Sequence, residues 1–149
     1  MANSIIYGFT GTREQLSDEQ RKWLWIFWTH GDHKFNVLHH GACENADAFA
    51  HHYAFGEVAR IIIHPPTDPK HVDLSVFVTD FSVATKVVVL KPKPYLDRNK
   101  DIVDACDRLL ALPKGPEEQR SGTWSTIRYA KQVKKPITIC WPNGEVTEP

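Results

Sequence analysis

The chain has 149 residues, 42% of them hydrophobic and 24% charged, which suits one folded domain with a real core and excludes a disordered chain. Its 18 basic and 18 acidic residues cancel, so wholesale binding to nucleic acid, which leaves a basic excess or stripe, is not expected. Three cysteines, Cys43, Cys106 and Cys140, are an odd number without paired short spacing. That argues against a disulfide framework or a four-cysteine zinc site, and makes a reducing cytoplasm the expected setting.

At the N-terminus no basic segment precedes an apolar run and a small-residue cleavage site, so no secretory signal is expected. No apolar stretch approaches the roughly 20 residues that span a bilayer, and no membrane partner is expected. The first strand reads at Ile5–Phe9 and breaks into Thr10-Gly11-Thr12-Arg13. A helix follows over Asp18–Thr29, opened by a capping box of Ser17 and Gln20. Its second half, Trp23 to Trp28, is apolar nearly all round, as in a helix buried on more than one side. Either the domain encloses it, with an aromatic left half exposed, or a second copy covers it; a homodimer is the expected assembly.

A second strand reads at Phe35–His39 and turns through His40-Gly41-Ala42 into a helix over Asn45–Phe55. Val58–Ile63 reads as a third strand, ended by Pro65, Pro66 and Pro69. Residues 64–94 read as a variable insertion in which two periods compete. Leu74, Phe77, Val78 and Phe81 fit a helix, whereas Val72, Leu74, Val76 and Val78 fit a strand. Lys86–Leu90 reads as a short edge strand. Helix Leu96–Cys106, strand Leu109–Leu112, helix Trp124–Val133 and strand Ile137–Trp141 complete the chain.

Continuous Val, Ile and Leu runs alternating with helices predict an α/β domain. The expected form is a single Rossmann-like three-layer domain over 1–149, with a mainly parallel sheet of five or six strands and helices on both faces. All strand-to-helix loops then share one rim, where helix N-termini present free N–H groups and a positive dipole end to an anion.

Four segments of that rim carry candidate chemistry. In the first, Gly8 and Gly11 allow close backbone approach, while Thr10, Thr12 and Arg13 supply hydroxyl and guanidinium donors. In the second, Gly41 and Ala42 make a tight turn; Asn45 or Asp47 can cap the helix, and Asp47 can accept a sugar hydroxyl. In the third, Arg98 and Asn99 adjoin a helix start, with surface ion pairing as the competing explanation. In the fourth, the long loop from Pro113 holds Glu117 and Glu118 and ends at Ser121-Gly122-Thr123 before Trp124. Trp124 either lies under a base or packs on the sheet. His39, His40, His51 and His52 lack a metal-ligand spacing, so neither a metal nor a resident cofactor is expected.

Taken together, the four segments resemble the SLOG superfamily, the Rossmann-like group that includes the LOG nucleotide-processing enzymes and DprA-type DNA-binding proteins. The resemblance is nearest to its small single-domain branch related to bacterial YpsA. A Thr-Gly-Ser/Thr-Arg turn is matched by Thr10-Gly11-Thr12-Arg13, and a Gly-Gly-Ala-x-Gly-Ala-Asp element in part by His40 to Asp47. An Arg-Asn pair opening a helix is matched by Arg98-Asn99, and a Gly-Thr helix mouth by Gly122-Thr123. The resemblance implies a nucleotide or nucleotide-derived ligand at the rim. In the LOG enzymes the last segment continues to a glutamate that assists N-glycosidic cleavage; here Thr126 stands in its place, and Gln119-Arg120-Ser121 replaces the preceding Gly-Gly.

Two functions therefore remain open on sequence. One is a protein that binds a phosphorylated nucleotide-like molecule as sensor, carrier or sequestering agent. The other is a nucleotide N-glycosidase or transferase in which Asp47, Glu117 or Glu118 replaces the missing carboxylate by stabilising a cationic sugar or activating water. DNA handling in the DprA manner is disfavoured by the neutral charge.

Overall fold

In the computed structural model, which describes residues 4–78 and 80–149, seven strands form one sheet in the order β4-β3-β2-β1-β5-β6-β7. These are β1 (Ile6–Gly11), β2 (Val37–His40), β3 (Arg60–Ile63), β4 (Lys86–Val89), β5 (Arg108–Leu112), β6 (Ile137–Cys140) and β7 (Val146–Thr147). The first six pair in parallel and the two-residue β7 runs antiparallel to β6. The chain thus steps outward from β1 to β4, then returns across β1 to place β5 on its other side.

Four helices cover the sheet: α1 (Asp18–Thr29), α2 (Ala46–Ala54), α3 (Tyr95–Ala105) and α4 (Gly122–Gln132). Helices α1 and α2 pack together over a core that includes Phe9, Leu24, Trp28, Leu38 and Ile61. Helices α3 and α4 pack on the opposite face over Val103, Leu109, Trp124, Ile127 and Ile137. This is the three-layer Rossmann-like arrangement, with one apolar cluster on each side of a sheet whose strands are apolar on both faces.

Local sequence accounts for the helix ends. Ser17 caps α1 with both arms of the capping box formed, and Gln20, itself buried, then donates to the carbonyls of Pro113 and Cys140 at 2.7 and 2.9 Å. Within α1 the apolar run divides by helical period. Leu24 and Trp28 are fully buried, a gain of about 1.5–3 kcal/mol each, while Trp25 and Ile26 face outward.

Several boundaries differ from those expected. β1 continues two residues beyond Phe9 because Thr10 and Gly11 pair with Ala111 and Leu112 of β5. β2 begins at Val37 instead of Phe35, whose side chain is exposed. α3 and α4 start earlier, at Tyr95 and Gly122, and β7 adds a seventh strand. Two elements are described within residues 64–94. Their Leu74–Phe77 portion is a single 3-10 turn that buries Val76 against α2, and Lys86–Val89 is the edge strand β4. Asp73 caps that turn by accepting from the Ser75 amide at 2.9 Å, which defeats the alternating strand pattern.

Candidate functional site

Because β1 to β6 are parallel, their carboxyl ends open on one rim. The chain reverses its direction of travel between β1 and β5, so helices diverge there to opposite faces and leave a crevice. A cleft of about 460 Å³ lies at this point. The β1 end contributes Thr10 to Arg13, the start of α2 contributes Asp47, and α3 contributes Arg98 and Asn99. The β5–α4 loop contributes Glu118, Ser121, Gly122 and Thr123. The four segments singled out in the sequence therefore meet around one opening.

At the α4 mouth, Ser121 caps the helix by accepting from the Trp124 amide at 3.2 Å. The Gly122 and Thr123 amides belong to the first turn and have no intrahelical acceptor. The Thr123 side chain is buried against the cleft, and its hydroxyl has no protein partner among the described residues. No acidic residue occupies this first turn.

Arg98 is only 4% exposed. Its Nη1 donates to the carbonyls of Gly41 and His64 at 2.6 and 2.9 Å, and its Nε donates to Asn99 Oδ1 at 2.8 Å. Nη2 reaches only the Cys43 sulfur, at 3.7 Å. Among the described residues Arg98 forms no ion pair within 4.0 Å, so the cleft floor carries a buried positive charge with donors to spare. A side chain at Gly41 would collide with this guanidinium, which is why the turn needs glycine there.

Asp47 braces the neighbouring loop. Its Oδ2 accepts from the Gly41 amide at 3.0 Å and the Cys43 amide at 3.3 Å. Burial pushes its carboxyl up to about 6, against the opposing pull of Arg98 and the two amides. The intervening Ala42 amide donates to His40 Nδ1 at 2.9 Å. That bond makes Nδ1 an acceptor and places the His40 proton on Nε2, which then donates to His51 Nδ1 at 2.9 Å. Burial, with the nearby positive charges, holds His40 well below its ordinary range. Burial and the charge of Asp47 push the Cys43 thiol up to about 11, so it is a poor nucleophile.

Six of the sequence candidates are not on the cleft wall. Gly8 sits mid-strand beneath α3, where Cys106 and Ile102 pack on it. Gly41 and Ala42 serve the loop brace, with Ala42 at φ 62°. Asn45, also at φ 62°, makes no cap; its Nδ2 donates to the Arg13 carbonyl at 2.6 Å and ties two rim loops together. The Pro113 carbonyl accepts from Gln20. Trp124 is buried beside Trp141 and donates from Nε1 to the Gly115 carbonyl at 3.2 Å, so its ring packs in the core.

The candidate carboxylates separate as well. Glu117 turns away to Arg128, at 3.1 Å, whereas Glu118 lies on the cleft wall. Thr126, at the position of the LOG glutamate, closes its hydroxyl onto the Gly122 carbonyl at 2.8 Å within α4. Among the described residues there is no group of three or more His, Cys, Asp or Glu placed to hold a metal, and no helix is long and apolar enough to cross a membrane.

Tyr95 lines the cleft but was not among the sequence candidates. With Arg98, Asn99 and Ile102 it stands at positions i, i+3, i+4 and i+7, one face of α3, and all four line the cleft. Starting that helix one residue earlier would have revealed it. Lys70 and His71 also reach the wall, because the 66–72 stretch is pinned by bridges from Pro66 to Lys93 and from Val72 to Cys43. Nothing local in the sequence signals those two.

Fold and crevice together define a Rossmann-like α/β domain with its opening at the switch point of the sheet. Solved structures of the same fold include the molybdenum cofactor binding protein from the phototrophic bacterium Rippkaea orientalis, with a TM-score of 0.64 and 20% identity. That match covers 95% of this chain and 78% of that one. The structural-genomics target TM1055 has a TM-score of 0.58 and 13% identity, over 89% of this chain and 72% of its own. No protein-family model matches the sequence, and no curated protein matches it.

Proposed function

We propose that this chain is a SLOG-type domain that holds a phosphorylated, nucleotide-like small molecule in the β1/β5 crevice without breaking it down. The observation that carries the reading is the pairing of two features in one cleft. The α4 mouth offers two amides and the hydroxyl of the largely buried Thr123, and the floor holds the Arg98 guanidinium, with no partner for that hydroxyl and no ion pair for Arg98 among the described residues. An anionic group supplies what both lack. The Rippkaea orientalis neighbour binds a molybdenum cofactor, which supports a carrier or storage role for this fold and adds that cofactor to the ligands worth testing.

Retention over turnover is favoured by the state of the carboxylates. Thr126 replaces the LOG glutamate, Glu117 pairs with Arg128, and Asp47 is engaged by two amides. One observation supports the alternative, an N-glycosidic hydrolase or transferase. Asp47 reaches the cleft wall with a carboxyl near 6, in the range useful to a general acid.

One experiment separates these readings. The protein is dialysed against nucleoside monophosphates, NAD, ADP-ribose, cyclic nucleotides and the molybdenum cofactor, and both sides are analysed by mass spectrometry. One compound enriched intact is the expected result. Thr123→Val should then weaken its retention about tenfold, the weight of one charge-assisted hydrogen bond. Release of free base would establish the glycosidic reading instead. No enrichment and no release would remove both.

A further inference from the structure

The anion site at the α4 mouth has an unassigned donor on the opposite helix. Tyr95 opens α3, and its ring lies over the first turn of α4. A Cβ at Gly122 would stand 3.1 Å from that ring and 3.3 Å from its hydroxyl oxygen. Tyr95 is 47% exposed, lines the cleft, and presents a hydroxyl with no hydrogen-bond partner among the described residues. A phenol needs no such placement for packing, since its apolar body is only half covered. Thr123, more than nine-tenths buried, aims a second unpartnered hydroxyl at the same opening from within α4.

We infer that Tyr95 is a specificity-determining residue whose hydroxyl donates to the ligand's anionic group at the α4 mouth, closing that subsite from the α3 side. This deepens the reading above and rests on it. The physical case is a matter of supply. Gly122 and Thr123 amides and the Thr123 hydroxyl approach an anion from one helix end and leave its far side to water. The Tyr95 hydroxyl, held within contact distance of Gly122, is placed to meet that far side. Arg98 and Asn99, one helical turn deeper on the same face of α3, are left to the rest of the ligand. The site then selects phosphorylated over unphosphorylated forms by a neutral donor, which discriminates without adding a second fixed charge at the rim. Glycine at 122 lets the ring approach this closely, since a Cβ there would make a tight contact with it.

Inorganic phosphate is the probe, followed through the 15N–1H resonances of the Gly122 and Thr123 amides. In the unaltered protein both should shift with phosphate. In Tyr95→Phe the midpoint should rise about tenfold. Melting temperature should hold, since that hydroxyl has no partner among the described residues. Equal midpoints in the two proteins would overturn the inference and leave the proposed function standing. So would a loss seen in Tyr95→Ala but not in Tyr95→Phe, which would assign the contact to the ring. Absence of any shift in the unaltered protein would overturn the anion site and the inference together.

Discussion

The β2–α2 loop and the β5–α4 loop flank β1 at the same rim, and they treat their backbone donors in opposite ways. In the first, three successive amides, those of Gly41, Ala42 and Cys43, are all taken by side chains, Asp47 on either side and His40 between. In the second, the Gly122 and Thr123 amides have no hydrogen-bond acceptor among the described residues. The difference lies in the first helical turn. The first turn of α2 holds Asp47, whose carboxylate reaches back to the Gly41 and Cys43 amides ahead of the Asn45 N-cap; α4 has no acid in that turn. One topology therefore yields a strut on one side of β1 and an open helix mouth on the other.

Acid should break the strut most strongly. Burial holds His39, His51 and His64 down at about 4, against 6.5 unfolded, and holds His40 well below its ordinary range. Between about pH 4 and 6.5 the unfolded chain binds more protons than the native one, so stability is full above 6.5 and is lost as pH falls through that window. Asp47 opposes this. With its carboxyl raised to about 6 from 3.8, the native state holds a proton the unfolded state has shed, so its burial is least unfavourable in acid. Four imidazoles outweigh one carboxyl, even with the partly solvated His39 and His64 discounted for screening. A melting temperature lower by on the order of 10 °C at pH 4.5 than at pH 7 is expected from calorimetry. A flat profile would mean that these imidazoles are not held neutral by the fold.

Removing the brace itself should come next. Asp47→Ala leaves the Gly41 and Cys43 amides without an acceptor, which costs about 2–4 kcal/mol and lowers Tm by roughly 5–15 °C. An unchanged Tm would show that water serves those amides equally well, and the contrast between the two loops would lose its basis.

The smallest effects belong to the carboxylates of the β5–α4 loop. Glu117→Gln removes an exposed ion pair with Arg128, and Glu118→Gln removes a charge from the cleft wall. Both should stay within about 0.5 kcal/mol in stability and retain ligand as the unaltered protein does. Loss of a base-releasing activity in Glu118→Gln alone would move the β5–α4 loop into catalysis.

Much of the fold was legible because its signals are local. Continuous apolar runs marked six of the seven strands, counting Lys86–Leu90, and Ser17 with Gln20 marked the start of α1. The 3-10 turn at Leu74–Phe77 was not legible, because apolar spacing there satisfies two periods and a side-chain cap decided between them. β7 is two residues long and exists only by pairing with β6.

The site divides in the same manner. Thr10 to Arg13, Arg98, Asn99 and Ser121 to Thr123 could be placed on the rim because strand–loop–helix order alone fixes which ends of parallel strands lie together. Residue type also indicated that the rim offers donors to an anion. Only the tertiary structure decided which donors are free. Asp47 turns inward to the loop amides, Asn45 ties down Arg13, Trp124 packs beside Trp141, and Tyr95 reaches Gly122 from another helix. Hydrogen-bond capacity belongs to a residue and can be read from its letter. Whether that capacity is already satisfied depends on neighbours brought in from 57 positions away, as Arg98 is to Gly41, and that is a property of the packed chain alone.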